Sequence, residues 1–356
     1  MLRDLTIKNY RAFKDFSIDG LARVNLIVGK NNAGKTSFLE AVYLLVNQGS
    51  PATLIELLDG RGEYVIDAPQ NTQQGAIRYQ LAPIFSGGEP TMGAEISFHS
   101  VKDSAISVSW ATRPRAEALF NEPALELVAS YKTAIPDVLG RRAGHNTLPL
   151  HANYDYISSN RFSPATEGNI NNHFVAVAPM DFDNLADLWD RIIRDPSKEA
   201  IVTQALQLVE PRIEDIRFTS RRTAGGTLAK LHNQSTRVTV SSLGEGVRRI
   251  LALVMSALIS KNGVLLIDEI DTGLYHGVQT QMWQLLIEIA QRLNIQIFTT
   301  THSWDCVAAF QEALNSNDNH PQGRLFRLEV QGDHISAVRY DADDLDIAVR
   351  QAIEVR

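Results

Sequence analysis

At 356 residues the chain is long enough to form one large domain or two medium ones. Its 44% hydrophobic and 21% charged residues are ordinary for a soluble globular protein, and a formal net charge of −7 excludes whole-surface attraction to DNA or membranes, leaving room only for a local basic patch. The single cysteine, Cys306, excludes a disulfide framework and a CxxC zinc site within the chain. The longest apolar stretch, Ile250 to Ile259, is too short to span a bilayer, and the opening "MLRDLTIKNYRAF" alternates like a strand. A cytoplasmic protein with no membrane contact is expected.

In chain order, polar and apolar residues alternate over Leu2 to Asn9 and Phe13 to Ile18, and an apolar run follows over Val24 to Val28. All three read as strands. A glycine-bounded loop leads into Ser37 to Val46, where Phe38, Leu39, Ala41, Val42 and Leu45 recur at helical spacing. From Gln48 turn formers dominate, with short alternating runs such as "AISVSWAT" and "LELVASY". This predicts an inserted, mostly β subdomain over residues 48–175 within a discontinuous head of 1–47 and 176–356. Helices are predicted in "DNLADLWDRIIRD" and "KEAIVTQALQLV", then a strand-rich meander over Ile213 to Val240. Next come a helix over Leu243 to Ser260, a strand over Val264 to Asp268 and a helix over Gln279 to Leu293. A strand over Ile295 to Thr300 and a helix over Trp304 to Leu314 follow, then a hairpin turning at Gly332-Asp333 and a last helix from Asp344. The class is α/β.

"IVGKNNAGKTS", Ile27 to Ser37, has the spacing G-x4-G-K-T between a strand and a helix, the context a phosphate cradle requires. Glycines let backbone N–H groups turn onto an anion, and the helix N-terminus adds partial positive charge. Gly29, Asn31, Asn32, Ala33, Gly34, Lys35, Thr36 and Ser37 are the candidate nucleotide contacts, with Lys35 for the outer phosphates and Thr36 for Mg2+. "GVLLIDEID" ends an apolar strand in Asp268, placed to hold the magnesium through water, and Glu269, placed to polarise the attacking water. "IQIFTTTHSWD" brings His302 to the end of another strand, on the edge where ligands of α/β sheets bind. "SSLGEGVRRI" sets Ser242, Gly244 and Glu245 at a helix N-terminus, a second anion corner suited to a nucleotide on a second copy.

As a set, these segments resemble the ATP-binding-cassette class of P-loop ATPases, and within it the heads of the RecF, SMC and OLD families, often called AAA15 or AAA21 ATPases. "LTIKNYRAFKDFSI" with the loop looks like their N-terminal strands and Walker A, "SSLGEGVRRI" like the signature motif, "VLLIDEID" like Walker B, and "TTTHS" like the switch-histidine region. The resemblance implies an ABC-type ATPase head with a mixed sheet, a homodimer sandwiching ATP and Mg2+, and work in DNA maintenance or antiphage defence. It also suggests that Arg11 reaches the nucleotide. Leu243 departs from the signature by replacing a glycine, and the stretch after His302 is too short for the TOPRIM domain of OLD nucleases. Any nuclease is therefore expected on a separate effector polypeptide.

Between Arg212 and Arg249, eight Lys or Arg (Arg212, Arg217, Arg221, Arg222, Lys230, Arg237, Arg248, Arg249) reverse the local sign of charge. DNA contact, solvated strand faces and arginines at a dimer interface are three open readings. The acids of "YDADDLD" read as a solvated face. Rival functions are a slow-turnover, ATP-gated sensor that assembles a partner protein, and the ATPase subunit of a transporter.

Overall fold

The computed structural model describes residues 1–66, 77–88, 93–102, 106–114, 125–134, 141–149, 156–158, 171–177, 182–219, 226–232, 234–316 and 322–356. The first elements are β1 (Asp4–Tyr10), β2 (Phe13–Asp19), β3 (Val24–Gly29), α1 (Lys35–Val46) and α2 (Pro51–Gly60). Then come β4 (Tyr64–Ile66), β5 (Ile77–Gln80), β6 (Glu95–Ser100), β7 (Ile106–Pro114), β8 (Leu125–Lys132), β9 (Ala143–Pro149), β10 (Tyr156–Ser158) and β11 (His173–Val175). They are followed by α3 (Phe182–Ile192), α4 (Pro196–Gln207), β12 (Ile213–Thr219), β13 (Gly226–Leu231), β14 (Val238–Thr239), α5 (Glu245–Ile259) and β15 (Val264–Ile267). The chain closes with α6 (His276–Arg292), β16 (Gln296–Thr300), α7 (Trp304–Asn315), β17 (Gly323–Gln331), β18 (His334–Tyr340) and α8 (Ala342–Arg350).

Two units emerge. The first comprises Met1–Leu21, Asn31–Asn169 and Leu328–Ala337. Its main sheet runs β2-β1-β6-β7-β8-β9, antiparallel throughout. The alternation seen in the sequence sends Ile7, Phe16, Phe98 and Trp110 into a core shared with Phe38 of α1, and Phe16 meets Phe38 edge-on at 6.1 Å. Strands β1 and β2 share one sheet with β6 to β9, strands of the segment read as an insertion. The segment also contains a helix. Pro at the first turn and Leu54, Leu57 and Leu58 on one buried side make α2, although the preceding Gly-Ser-Pro reads as loop.

The second unit comprises Ala22–Lys30, Ile170–Arg327 and Val338–Arg356. Its sheet is ordered β11-β15-β16-β3-β17-β18, with β11, β15, β16 and β3 parallel. Strands β3, β15 and β16 are buried along their whole length, which explains their near-continuous apolar runs: parallel strands are covered on both faces. Helix α5 is mainly apolar beyond its first turn, and every residue from Arg249 to Ile259 is buried. It packs against α3 and α4, and α6 packs against α7. The meander forms a small sheet, β12-β13-β14. The hairpin turns at Gly332, φ 60°, as expected. Asp341 and Asp344 of the tail form a capping box on α8, and Asp346 accepts from Gln311 and pairs with Arg350. Among the described residues, no helix is long and apolar enough to cross a membrane.

Candidate functional site

Parallel pairing brings the carboxyl ends of β15, β16 and β3 to one edge of the second unit's sheet, the edge at which α/β sheets take ligands. Asp268 and Glu269 leave β15, Thr300 to His302 leave β16, and Gly29 ends β3.

The loop after β3 needs glycine at both ends, since Gly29 has φ 148° and Gly34 φ 89°. At Gly34 a Cβ would also lie 3.0 Å from the Phe13 ring. Gly34 is the N-cap residue of α1 and presents no capping side chain, which leaves that end to an external anion. Asn31 and Asn32 are exposed, Asn32 with φ 62°, whereas Ala33, Lys35 and Ser37 are buried and Thr36 is half-buried.

The two carboxylates are held in different ways. Asp268 Oδ1 accepts from Thr300 Oγ1 at 2.5 Å, and the same hydroxyl oxygen accepts the Glu269 N–H at 2.8 Å. One buried threonine thus fixes an acid side chain and the backbone of the next residue. Glu269 has φ 46°, a left-handed conformation that costs about 1–2 kcal/mol for a residue with a side chain. Its carboxylate is half-exposed; Oε1 lies 3.5 Å from His302 Nε2, and Oε2 accepts from Thr272 Oγ1 at 3.4 Å. Thr301 Oγ1 donates to Asp271 Oδ1 at 2.5 Å. The backbone carbonyl of His302 accepts from Arg356 Nη1 at 3.1 Å, and the Arg356 guanidinium lies over the Trp304 ring.

A buried cation stands behind the acids. Arg249, on α5, donates from Nη1 to the Ala176 carbonyl at 2.7 Å and from Nη2 to the carbonyls of Asp268 at 2.6 Å and Glu269 at 2.9 Å. Burial pulls its guanidinium below the usual range, and the carboxylates of Asp268, Asp271, Glu269 and Glu245 oppose that pull. The sequence showed Arg249 only as one charge in a basic run. Its signal is position, an arginine just before the mainly apolar stretch Ile250 to Ile259.

Ser242, Gly244 and Glu245 are exposed at the start of α5. The Ser242 hydroxyl donates to the Thr239 carbonyl at 2.7 Å, and Gly244 has φ 101° with open space where a Cβ would stand.

Arg11 is held by acids of its own unit: its buried guanidinium donates to Glu63 at 2.7 and 2.9 Å and pairs with Glu40 of α1 at 2.7 Å. Tyr10 Oη donates to that same Glu40 at 3.0 Å, and Arg61 pairs with it as well. Three cations of the basic run from Arg212 are paired with acids. Arg212 pairs with Glu210, Lys230 with Glu214 and Arg237 with Asp215, while Arg249 points inward; Arg221 and Arg222 lie outside the described residues.

Asp268 supplies a hard carboxylate oxygen of the kind magnesium takes, and this ion takes few ligands from protein. Among the described residues no group of three or more His, Cys, Asp or Glu forms a metal site without a nucleotide.

The model of a family described as "AAA domain, putative AbiEii toxin, Type IV TA system" matches residues 24–305. The ATP/GTP phosphatase of Helicobacter pylori is 22% identical over 368 residues, covering 97% of this chain and 97% of that one. The DNA double-strand break repair Rad50 ATPase of Archaeoglobus fulgidus is 44% identical over 54 residues, 15% of this chain and 6% of that protein. Among solved structures, the Smc head bound to the C-winged helix domain of ScpA aligns with a TM-score of 0.52 at 14% identity. It covers 96% of this chain and 98% of that one, a likeness of fold.

Proposed function

We propose a function from one premise: this chain belongs to the AAA domain family described as putative AbiEii toxin, Type IV TA system, and is a P-loop ATPase of the ABC class shared with RecF and SMC heads. It binds ATP through Gly29, Asn31 to Gly34, Lys35, Thr36 and Ser37. Lys35 meets the outer phosphates. Thr36 and Asp268 hold magnesium, which neutralises charge on the β- and γ-phosphate oxygens. Glu269 orients a water for in-line attack on the γ-phosphorus and takes its proton as the bond to the β-phosphate oxygen breaks, releasing ADP and phosphate. His302 steadies the Glu269 carboxylate and reaches the γ-phosphate.

The observation that carries this reading is the gathering of Asp268, Glu269 and His302 at the carboxyl ends of adjacent parallel strands, one strand from the end of β3. Ser242, Gly244 and Glu245 cap the nucleotide of a second copy, so that two chains sandwich two ATP molecules. The local likeness to a DNA double-strand break repair Rad50 ATPase supports work in DNA maintenance; antiphage defence through a separate effector such as a nuclease is the other setting we propose. The Ser242 hydroxyl, engaged by its own Thr239 carbonyl, favours a second reading, a slow ATP-gated scaffold that assembles a partner.

Light scattering on the Glu269→Gln protein tests the sandwich. Saturating Mg·ATP should double its mass, and adding Ser242→Arg should reverse the doubling while ATP still binds, because nucleotide shared across an interface stabilises it by mass action. A mass unchanged by ATP, with full activity in Ser242→Arg, removes the shared site.

A further inference from the structure

Hydrolysis by the strand-end acids leaves one buried charge unused. Arg249 sits at the fifth position of α5, and its guanidinium collects three backbone carbonyls from the carboxyl ends of two adjacent parallel strands. Ala176 follows β11; Asp268 and Glu269 follow β15. All three contacts are charge-assisted and within 2.9 Å. One of the carbonyls belongs to Glu269, whose backbone is left-handed and is stable only where its surroundings hold it there. The N–H of the same residue is fixed by Thr300, so both of its backbone polar groups are tied.

A second contact joins the same two segments. The first turn of α5 lies directly on the turn that follows Glu269. A Cβ on Gly273 would come 2.5 Å from Glu245 Cγ, and one on Gly246 would come 3.1 Å from the Gly273 carbonyl oxygen. A side chain at either position would crowd this approach, and Gly273, φ 75°, needs glycine for its backbone.

We propose that Arg249 is a positioning residue for hydrolysis: it anchors the turn carrying Glu269 to α5 and so sets where the reacting carboxylate stands. The role rests on the reading of Glu269 as the base. Arg249 touches no phosphate and acts through the backbone of its neighbours. A lysine keeps the charge but cannot spread one planar fork over three carbonyls. A displacement of about 1 Å at a reacting group lowers rate on the order of 10²-fold.

The test compares turnover and Mg·ATP affinity of the whole chain as wild type, Arg249→Lys, Arg249→Gln, Glu269→Gln and the Arg249→Lys/Glu269→Gln double variant. Arg249→Lys should lose on the order of 10²-fold in kcat with Mg·ATP affinity near wild type. It should cost little more once Glu269 is already glutamine, the non-additivity of two groups acting as a unit. Arg249→Gln, which keeps two N–H donors, should fall between Arg249→Lys and wild type and serves if the lysine variant does not fold. A folded Arg249→Lys with wild-type kcat overturns the role, as does a loss fully additive with Glu269→Gln. Loss of fold or of ATP affinity in both arginine variants assigns the contacts to stability and overturns it too. Glu269→Gln turning over at the wild-type rate overturns the reading of Glu269 and this role with it; a slow Glu269→Gln beside a fast Arg249→Lys overturns the role alone.

Discussion

Replacing Thr300 with valine removes one hydroxyl and almost no volume from a fully buried position. Two hydrogen bonds go with it: the one given to Asp268 Oδ1 at 2.5 Å and the one taken from the Glu269 N–H at 2.8 Å. A bond to a charged group contributes about 1.5–3 kcal/mol and a neutral one about 0.5–1.5 kcal/mol, so the loss should be about 2–4.5 kcal/mol. With a denaturant slope of about 3 kcal/mol/M, the urea midpoint should fall by roughly 1 M. Turnover should fall as well, because the magnesium carboxylate and the backbone of the base lose their shared anchor. Thr301→Val is the comparator. Its hydroxyl holds Asp271 at 2.5 Å and the Ser303 N–H at 3.0 Å, so it should lose similar stability and less activity. Urea unfolding followed by tryptophan fluorescence, with phosphate release measured on the same samples, separates the two effects. A Thr300→Val protein with the wild-type midpoint and rate would refute the assignment of this hydroxyl as the common anchor.

Lys35→Ala should abolish Mg·ATP binding in isothermal titration, since it removes the lysine assigned to the outer phosphates; wild-type affinity would mean that the loop is not the cradle. Cys306 is fully buried, and burial pushes its thiol up to about 12, above its ordinary value of 9.0. It should stay protonated and resist a thiol reagent at pH 8 until the protein is unfolded. Rapid labelling of the native protein would contradict that burial.

The phosphate loop was legible in the sequence because it is local. Six buried residues of β3, two glycines with positive φ and a helix with a regular apolar side all fall within a short span. The strand-end acids and His302 were legible for the same reason, since apolar runs that end in polar groups mark the carboxyl edge of a parallel sheet. What the sequence hid depends on residues far apart in the chain. Thr300 and Asp268 are 32 positions apart, and Arg249 and Asp268 are 19 apart. Arg11 was assigned by its place before the loop, but Glu40 and Glu63, brought in by α1 and the segment after α2, hold it. The partners of the basic run were hidden because charges were counted along one segment. Cross-strand register sets Asp215 opposite Lys230, and Glu214 and Asp215 supply the partners of Lys230 and Arg237. Helix α2 was missed because turn formers precede a short amphipathic stretch.

Single-turnover hydrolysis by Glu269→Gln is the most direct test of the proposed chemistry. Glutamine keeps the size of the side chain and cannot take a proton. The variant should bind Mg·ATP as the wild type does and cleave it at least about 10²-fold more slowly, so that intact ATP accumulates on the protein. Cleavage at the wild-type rate would place the base elsewhere, with Asp271 the next carboxylate to test, and would contradict the role of Glu269 as the base.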